Sequence, residues 1–153
     1  MRATRVFTVL AAVALIGVAC GDDIITTAIP EGLEVFTATL NGANERPTPV
    51  TTTATGRAVI TVLGNLVSWK VDVTDIDSVT VGHIHKGVAD STGNPIVTFT
   101  VTATGLNFTG TVAVGSATVA DSVLTLMRDR RAYVNIHTRV NGGGEIRGQT
   151  VKQ

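Results

Sequence analysis

The 153-residue chain holds three histidines, and all fall in two short stretches. His83 and His85 lie in "TVGHIHKGVAD" (80–90), and His137 lies in "RAYVNIHTRV" (131–140). In an extended strand, residues two apart point to one side, so His83 and His85 share a face with Ile84 opposite. Their Cβ atoms then sit roughly 6–7 Å apart, from a rise of about 3.3 Å per residue. Two imidazoles at that spacing can lean onto one cation, and His-x-His on a strand is one way to build a zinc or copper site. His137 alternates with Tyr133 and Asn135 along a second strand, with Val134 and Ile136 on the other face. It is the only imidazole left to complete the site, and the two strands must be neighbours for it to do so.

A third stretch, "GGEIRGQ" (143–149), places Glu145, Arg147 and Gln149 on one face, opposite Ile146 and Gly148. Glu145 could orient a histidine by accepting from its second ring nitrogen. Arg147 could tie down a loop carbonyl or balance Glu145. A different reading gives the histidines no metal. Each ring then bonds to backbone or to Asn135, Thr138 and Glu145, and the cluster fixes loops at one end of the fold. A third reading has the rings titrate near their ordinary pKa of about 6.5, in a pH-sensitive adhesion domain. Spacing leaves all three open.

Other chemistry finds little support. Ser68, Ser78, Ser91, Ser116 and Ser122 lack the glycine context of a nucleophile elbow. "NGGGE" lies between two strands and opens no helix, so it is a poor phosphate cradle. Asp72, Asp75 and Asp77 lack the glycine and final glutamate of an EF-hand loop and read as a solvated strand end.

The elements that must position these residues are strands. "EVFTATL" (34–40) alternates, with Phe36, Ala38 and Leu40 on one face. "GRAVITVLGNLVSWKVDV" reads as a hairpin that turns at Gly64-Asn65, its return strand aligning Val67, Trp69, Val71 and Val73. "NPIVTFTVTAT" (94–104), "NFTGTVAVG" (107–115), "AYVNIHT" (132–138) and "GEIRGQTVK" (144–152) are further strands. "SVLTLMRDRRA" groups its apolar residues at helical spacing, with Asp121 or Ser122 able to cap it. The expectation is an all-β domain: an antiparallel β-sandwich or open Greek-key barrel of about seven or eight strands, with one short helix near 121–131. "ANERPTPVTTTATG" (43–56) is a polar crossover or rim loop. Phe36, Trp69, Phe99, Phe108 and Tyr133 supply most of the large core side chains.

Residues 1–19 have the shape of an export signal: Arg2 and Arg5, then an apolar run from Val6 to Ala19. That run is too short to span a bilayer comfortably. Cys20, the only cysteine, follows "GVA" and is the candidate lipid-accepting residue. Residues 20–32 then tether a β domain over 33–153. The expected place is the cell envelope, lipid-anchored through Cys20, or periplasmic or extracellular without lipidation. Without Arg2 and Arg5, 10 of the 12 basic residues face 12 acidic ones, a net of about −2. No basic stripe remains, which argues against nucleic acid as a partner. A protein or envelope component is the partner class left.

In order, "FTATLNGANERPTP", "TATGRAVITV", "VGHIHKG", "PIV", "AYVNIHT" and "GGEIRGQ" closely resemble the chordin-type domain, the CHRD family, across about residues 33–152. The resemblance implies an all-β extracellular domain and no established catalytic activity. His83 and His85 match that family's His-Ile-His position, and His137 its Asn-x-His-Thr position. The loop "KGVADSTGNPIV" is more polar than the Gly/Ala/Pro-rich counterpart common there, so a shared partner at that rim does not follow. Copper/zinc superoxide dismutases are similar in showing His-x-His on a β-sandwich, but their site needs more than three histidines. The functional expectation is therefore a non-catalytic binding or structural module of the envelope, with His83, His85 and His137 as candidate ligands to copper or zinc. Asn135, Thr138, Glu145 and Arg147 are candidates to support them. The alternative is a redox or hydrolytic metalloenzyme using the same ligands.

Overall fold

The structure is a computed structural model and describes residues 30–102 and 104–153. Residues 1–29, on which the expected export signal, Cys20 and most of the expected tether fall, lie outside the described residues; Pro30–Gly32 form a turn in which Leu33 N donates to Pro30 O. Nine strands follow: β1 (Glu34–Asn41), β2 (Thr55–Leu63), β3 (Leu66–Ile76), β4 (Val79–Lys86), β5 (Pro95–Phe99), β6 (Phe108–Thr118), β7 (Ala132–Thr138), β8 (Ile146–Gln149) and β9 (Val151–Lys152). Among the described residues one α-helix, α1 (Asp121–Arg128), precedes β7, and a single 3-10 turn, Gly42–Asn44, follows β1. Among the described residues no helix is long and apolar enough to cross a membrane.

All strands join one antiparallel sheet in the order β5-β4-β7-β8-β1-β2-β3-β6, with β9 also on β1. The sheet curls until its two ends meet. Thr102 N donates to Val112 O at 2.8 Å, Val101 bridges Ala113, and Trp69 of β3 stacks on Phe99 of β5 with ring centroids 4.8 Å apart. Of the two architectures expected, the chain takes the barrel.

Period-two alternation decides which side faces in. Phe36, Ala38 and Leu40 of β1, Ala58, Ile60 and Val62 of β2, and Val67, Trp69, Val71 and Val73 of β3 are all buried. Ile84, Val134, Ile136 and Ile146 fill the same interior from β4, β7 and β8. Burial of each large apolar side chain contributes about 1.5–3 kcal/mol. The β2–β3 hairpin turns where expected: Leu63 pairs with Leu66, and Gly64 takes φ 57°, open to glycine without strain.

Three local expectations need correction. The strand read over 94–104 stops at Phe99, because the chain leaves β4 there and swings toward β6 to close the barrel. The strand read over 144–152 divides at Thr150, whose N–H and hydroxyl both donate to Ala132 O, so β8 pairs with β7 and β9 with β1. Neither Asp121 nor Ser122 caps α1. Ala120 holds the cap position without a side-chain bond, and the Asp121 carboxylate, already in the first turn, accepts from Asn65 Nδ2. Its charge still favours that helix end.

Candidate metal centre

The barrel's polar features collect on the outside of one wall. Where Gly82, Ile84, Val134, Ile136, Ile146 and Gly148 alternate inward, His83, His85, Tyr133, Asn135, His137, Arg147 and Gln149 must alternate outward. That outer face would be wet in a bare sheet, yet every residue of β7 is buried. Three loops cover it: residues 42–54 between β1 and β2, 87–94 between β4 and β5, and 139–145 between β7 and β8.

β4 and β7 are direct neighbours. Val81 pairs with His137, His83 with Asn135 and His85 with Tyr133, so His137 is the diagonal neighbour of His83 across the ladder. Ring centroids lie 5.1 Å apart for His83 and His85, 5.0 Å for His83 and His137, and 5.6 Å for His85 and His137. One nitrogen from each ring lies within 4.8 Å of the others.

The hydrogen bonds fix the protons. His85 Nδ1 meets Gly93 O at 2.8 Å, and His137 Nδ1 meets Gly142 O at 3.0 Å. A carbonyl only accepts, so both Nδ1 atoms carry hydrogen and both Nε2 atoms are lone-pair donors. His137 Nε2 accepts from His83 Nδ1 at 3.1 Å. His85 Nε2 is buried with no partner. Charge is disfavoured on all three rings. Burial, then His137 and His85, lower the His83 pKa to about 4. Burial lowers His85 against the opposing pull of the Gly93 carbonyl, and lowers His137 against that of Gly142. Neutral imidazoles are what a cation requires.

Around the rings, Tyr133 stacks on His85, with centroids 5.0 Å apart and planes 10° apart, and the Arg147 guanidinium lies 3.5 Å over the other face of Tyr133. Arg147 Nη2 donates to the carbonyls of Val88, Ala89 and Ser91, so it does tie down a loop. Glu145 accepts from Thr52, Thr138 and Asn141, and none of its hydrogen bonds reaches a histidine. Thr138 serves the 139–145 loop, taking a bond from Asn141 N. Asn135 Nδ2 reaches Glu45 Oε2 at 3.4 Å. The wall thus brings His83, His85 and His137 together and sets Asn135, Thr138, Glu145 and Arg147 to hold the loops above them.

The partners that sequence reasoning missed are Tyr133 as the spacer between His85 and Arg147, Glu45 beside Asn135, and the carbonyls of Gly93 and Gly142. A backbone carbonyl leaves no signature in residue type. Tyr133 was legible only through its register opposite His85.

A family model described as "CHRD domain" matches residues 36–150, from the first core residue of β1 to the turn before β9. Neither the curated proteins nor the solved structures include a match to this chain.

Proposed function

The chain belongs to the CHRD domain family, and from that premise we propose that it is a non-catalytic module of the cell envelope in which His83, His85 and His137 hold one zinc or copper ion. One observation carries the metal reading. The carbonyls of Gly93 and Gly142 commit both Nδ1 hydrogens, so the Nε2 lone pairs of His85 and His137 turn toward His83. That of His85 is buried and unpartnered, and that of His137 takes the His83 Nδ1 hydrogen, which a shift of the His83 proton to Nε2 would free for a cation. An unmet buried acceptor costs about 1–3 kcal/mol, and a cation would offset that. Three imidazole nitrogens suit zinc and copper by donor type.

The proposed setting rests on the sequence alone: export by residues 1–19 and lipid attachment at Cys20. A catalytic reading has one observation behind it. His83 is only partly buried, and three nitrogen ligands leave a tetrahedral zinc ion a fourth position for water or substrate. A redox or hydrolytic activity that tracks metal content would be its mark.

The test is elemental analysis of the protein purified without a histidine tag, beside His83→Ala and His137→Ala. The expected result is near-stoichiometric zinc or copper in the parent and none in either variant. A parent that stays metal-free after reconstitution, with variants that only melt earlier, would overturn the reading.

A further inference from the structure

Next to the histidines, the same wall carries a cavity of about 100 Å³ lined by Asn44, Arg46, Ala89, Arg147 and Gln149. Exposed Asn44 and Ala89 form its mouth, and Arg147 is its floor, 2% exposed. A guanidinium has five N–H donors. The Nη2 pair is taken by the carbonyls of Val88, Ala89 and Ser91. Among the described residues, no acceptor meets Nε or Nη1, yet neither atom is sealed from solvent. No carboxylate pairs with Arg147 among the described residues either.

A buried cation without a counter-ion is costly. The Tyr133 face and three carbonyls answer part of that cost on one side only. On the cavity side stands a second guanidinium, Arg46, which bonds to Ala43 O and Glu45 O and pairs with exposed Asp90 at 3.3 Å. Glu45 is the buried carboxyl nearby, and burial pushes its pKa up to about 7, so its own negative charge is suppressed.

We propose that the Arg46–Arg147 cavity binds a small oxyanion, a carboxylate or phosphate group that accepts from the unpaired Nε or Nη1 of Arg147 beside the Arg46 guanidinium. Both two-oxygen edges of a guanidinium include Nη2, which the carbonyls hold, so the group takes single charge-assisted bonds from Nε or Nη1 of Arg147, with Arg46 as the second cation beside it. A volume of about 100 Å³ is about three times the share of one water in the liquid, about 30 Å³, so a headgroup fits and a larger body must extend past Asn44 and Ala89. The inference does not depend on the metal.

The experiment is calorimetric titration of the purified protein in metal-free chloride buffer at constant ionic strength. Inorganic phosphate and acetate are the two arms, and the tighter one names the group. Saturable binding is expected, weakened about tenfold or more in Arg46→Ala and in Arg147→Lys, the loss of one charge-assisted hydrogen bond or more. Arg46→Ala keeps the test intact if the Arg147 variant fails to fold. His83→Ala keeps the anion affinity, which separates this site from the metal centre. No saturation by either anion at tens of millimolar, unchanged binding in both arginine variants, or an equal loss in His83→Ala would each overturn the proposal.

Discussion

Glu45 has the least settled surroundings of any side chain on the wall. It is 3% exposed, its Oε1 has no partner, and its Oε2 takes only a long bond from Asn135, whose own Oδ1 is also unmet. Two unmet acceptors side by side are repaired by one proton: a neutral Glu45 can donate to Asn135 Oδ1. Burial acts in the same direction and raises the carboxyl from 4.5 to about 7 against the pull of Arg147. The folded pKa lies above the unfolded one, so folding takes up a proton between those values. The stability this contributes is complete below about 4.5 and lost as pH rises through about 7. Glu45→Gln keeps the shape and a donor but cannot titrate. Relative to the parent it gains about 2–3 kcal/mol between about pH 5 and about pH 8. Urea midpoints read from Trp69, the single buried tryptophan, measure this; a difference that ignores pH would show that Glu45 is charged throughout.

At the scale of elements, the loops hold the histidines by backbone atoms, so two glycines govern the site through their carbonyls, with no side chain involved. A Cβ on Gly93 would lie 1.8 Å from Lys86 O, while one on Gly142 would meet nothing within 4 Å. Gly93→Ala must therefore push the 87–94 loop off β4 and draw the Gly93 carbonyl away from His85 Nδ1. Gly142→Ala leaves its carbonyl on His137. If the metal reading holds, Gly93→Ala weakens zinc affinity by about 10–100-fold, as lost orienting bonds do, and Gly142→Ala leaves it near the parent value. Competition with a colorimetric chelator reads both. Equal affinities would mean that the carbonyls do not orient the rings. The same logic applies across β8, where a Cβ on Gly148 would reach 2.2 Å from Thr39 O. That glycine lets β8 lie close against β1.

At the scale of the molecule, the barrel interior is apolar and complete on its own, and the polar wall is an addition to its outside. That division lets the site vary without the core. It also leaves the question of place to the segment before the barrel. Each buried methylene of an attached acyl chain adds about 0.8 kcal/mol of membrane affinity. Fractionation of the producing cells then finds the parent with membranes and Cys20→Ala in a soluble fraction. An unchanged distribution would reject the anchor.

The sequence by itself determined where most strands lie, which face is interior and which residues are candidate donors, but not where the strands over 94–104 and 144–152 end or divide. Alternation of apolar residues has period two, and any strand that obeys it declares its sides, as β1, β3 and β7 do. The Gly64-Asn65 turn was legible for the same local reason. His83, His85 and His137 stood out by scarcity, and His83 and His85 by sharing a face. Only the tertiary structure decided that β4 and β7 are neighbours, that the outer wall is roofed by three loops, and that Gly93 and Gly142 fix the ring protons. It also decided that Glu145 serves the loops while Arg147 opens onto a cavity. These depend on strand order and on backbone carbonyls brought together from distant parts of the chain. Neither leaves a mark in the spacing of residue types, because every residue carries the same carbonyl and only the closed barrel sets which ones meet.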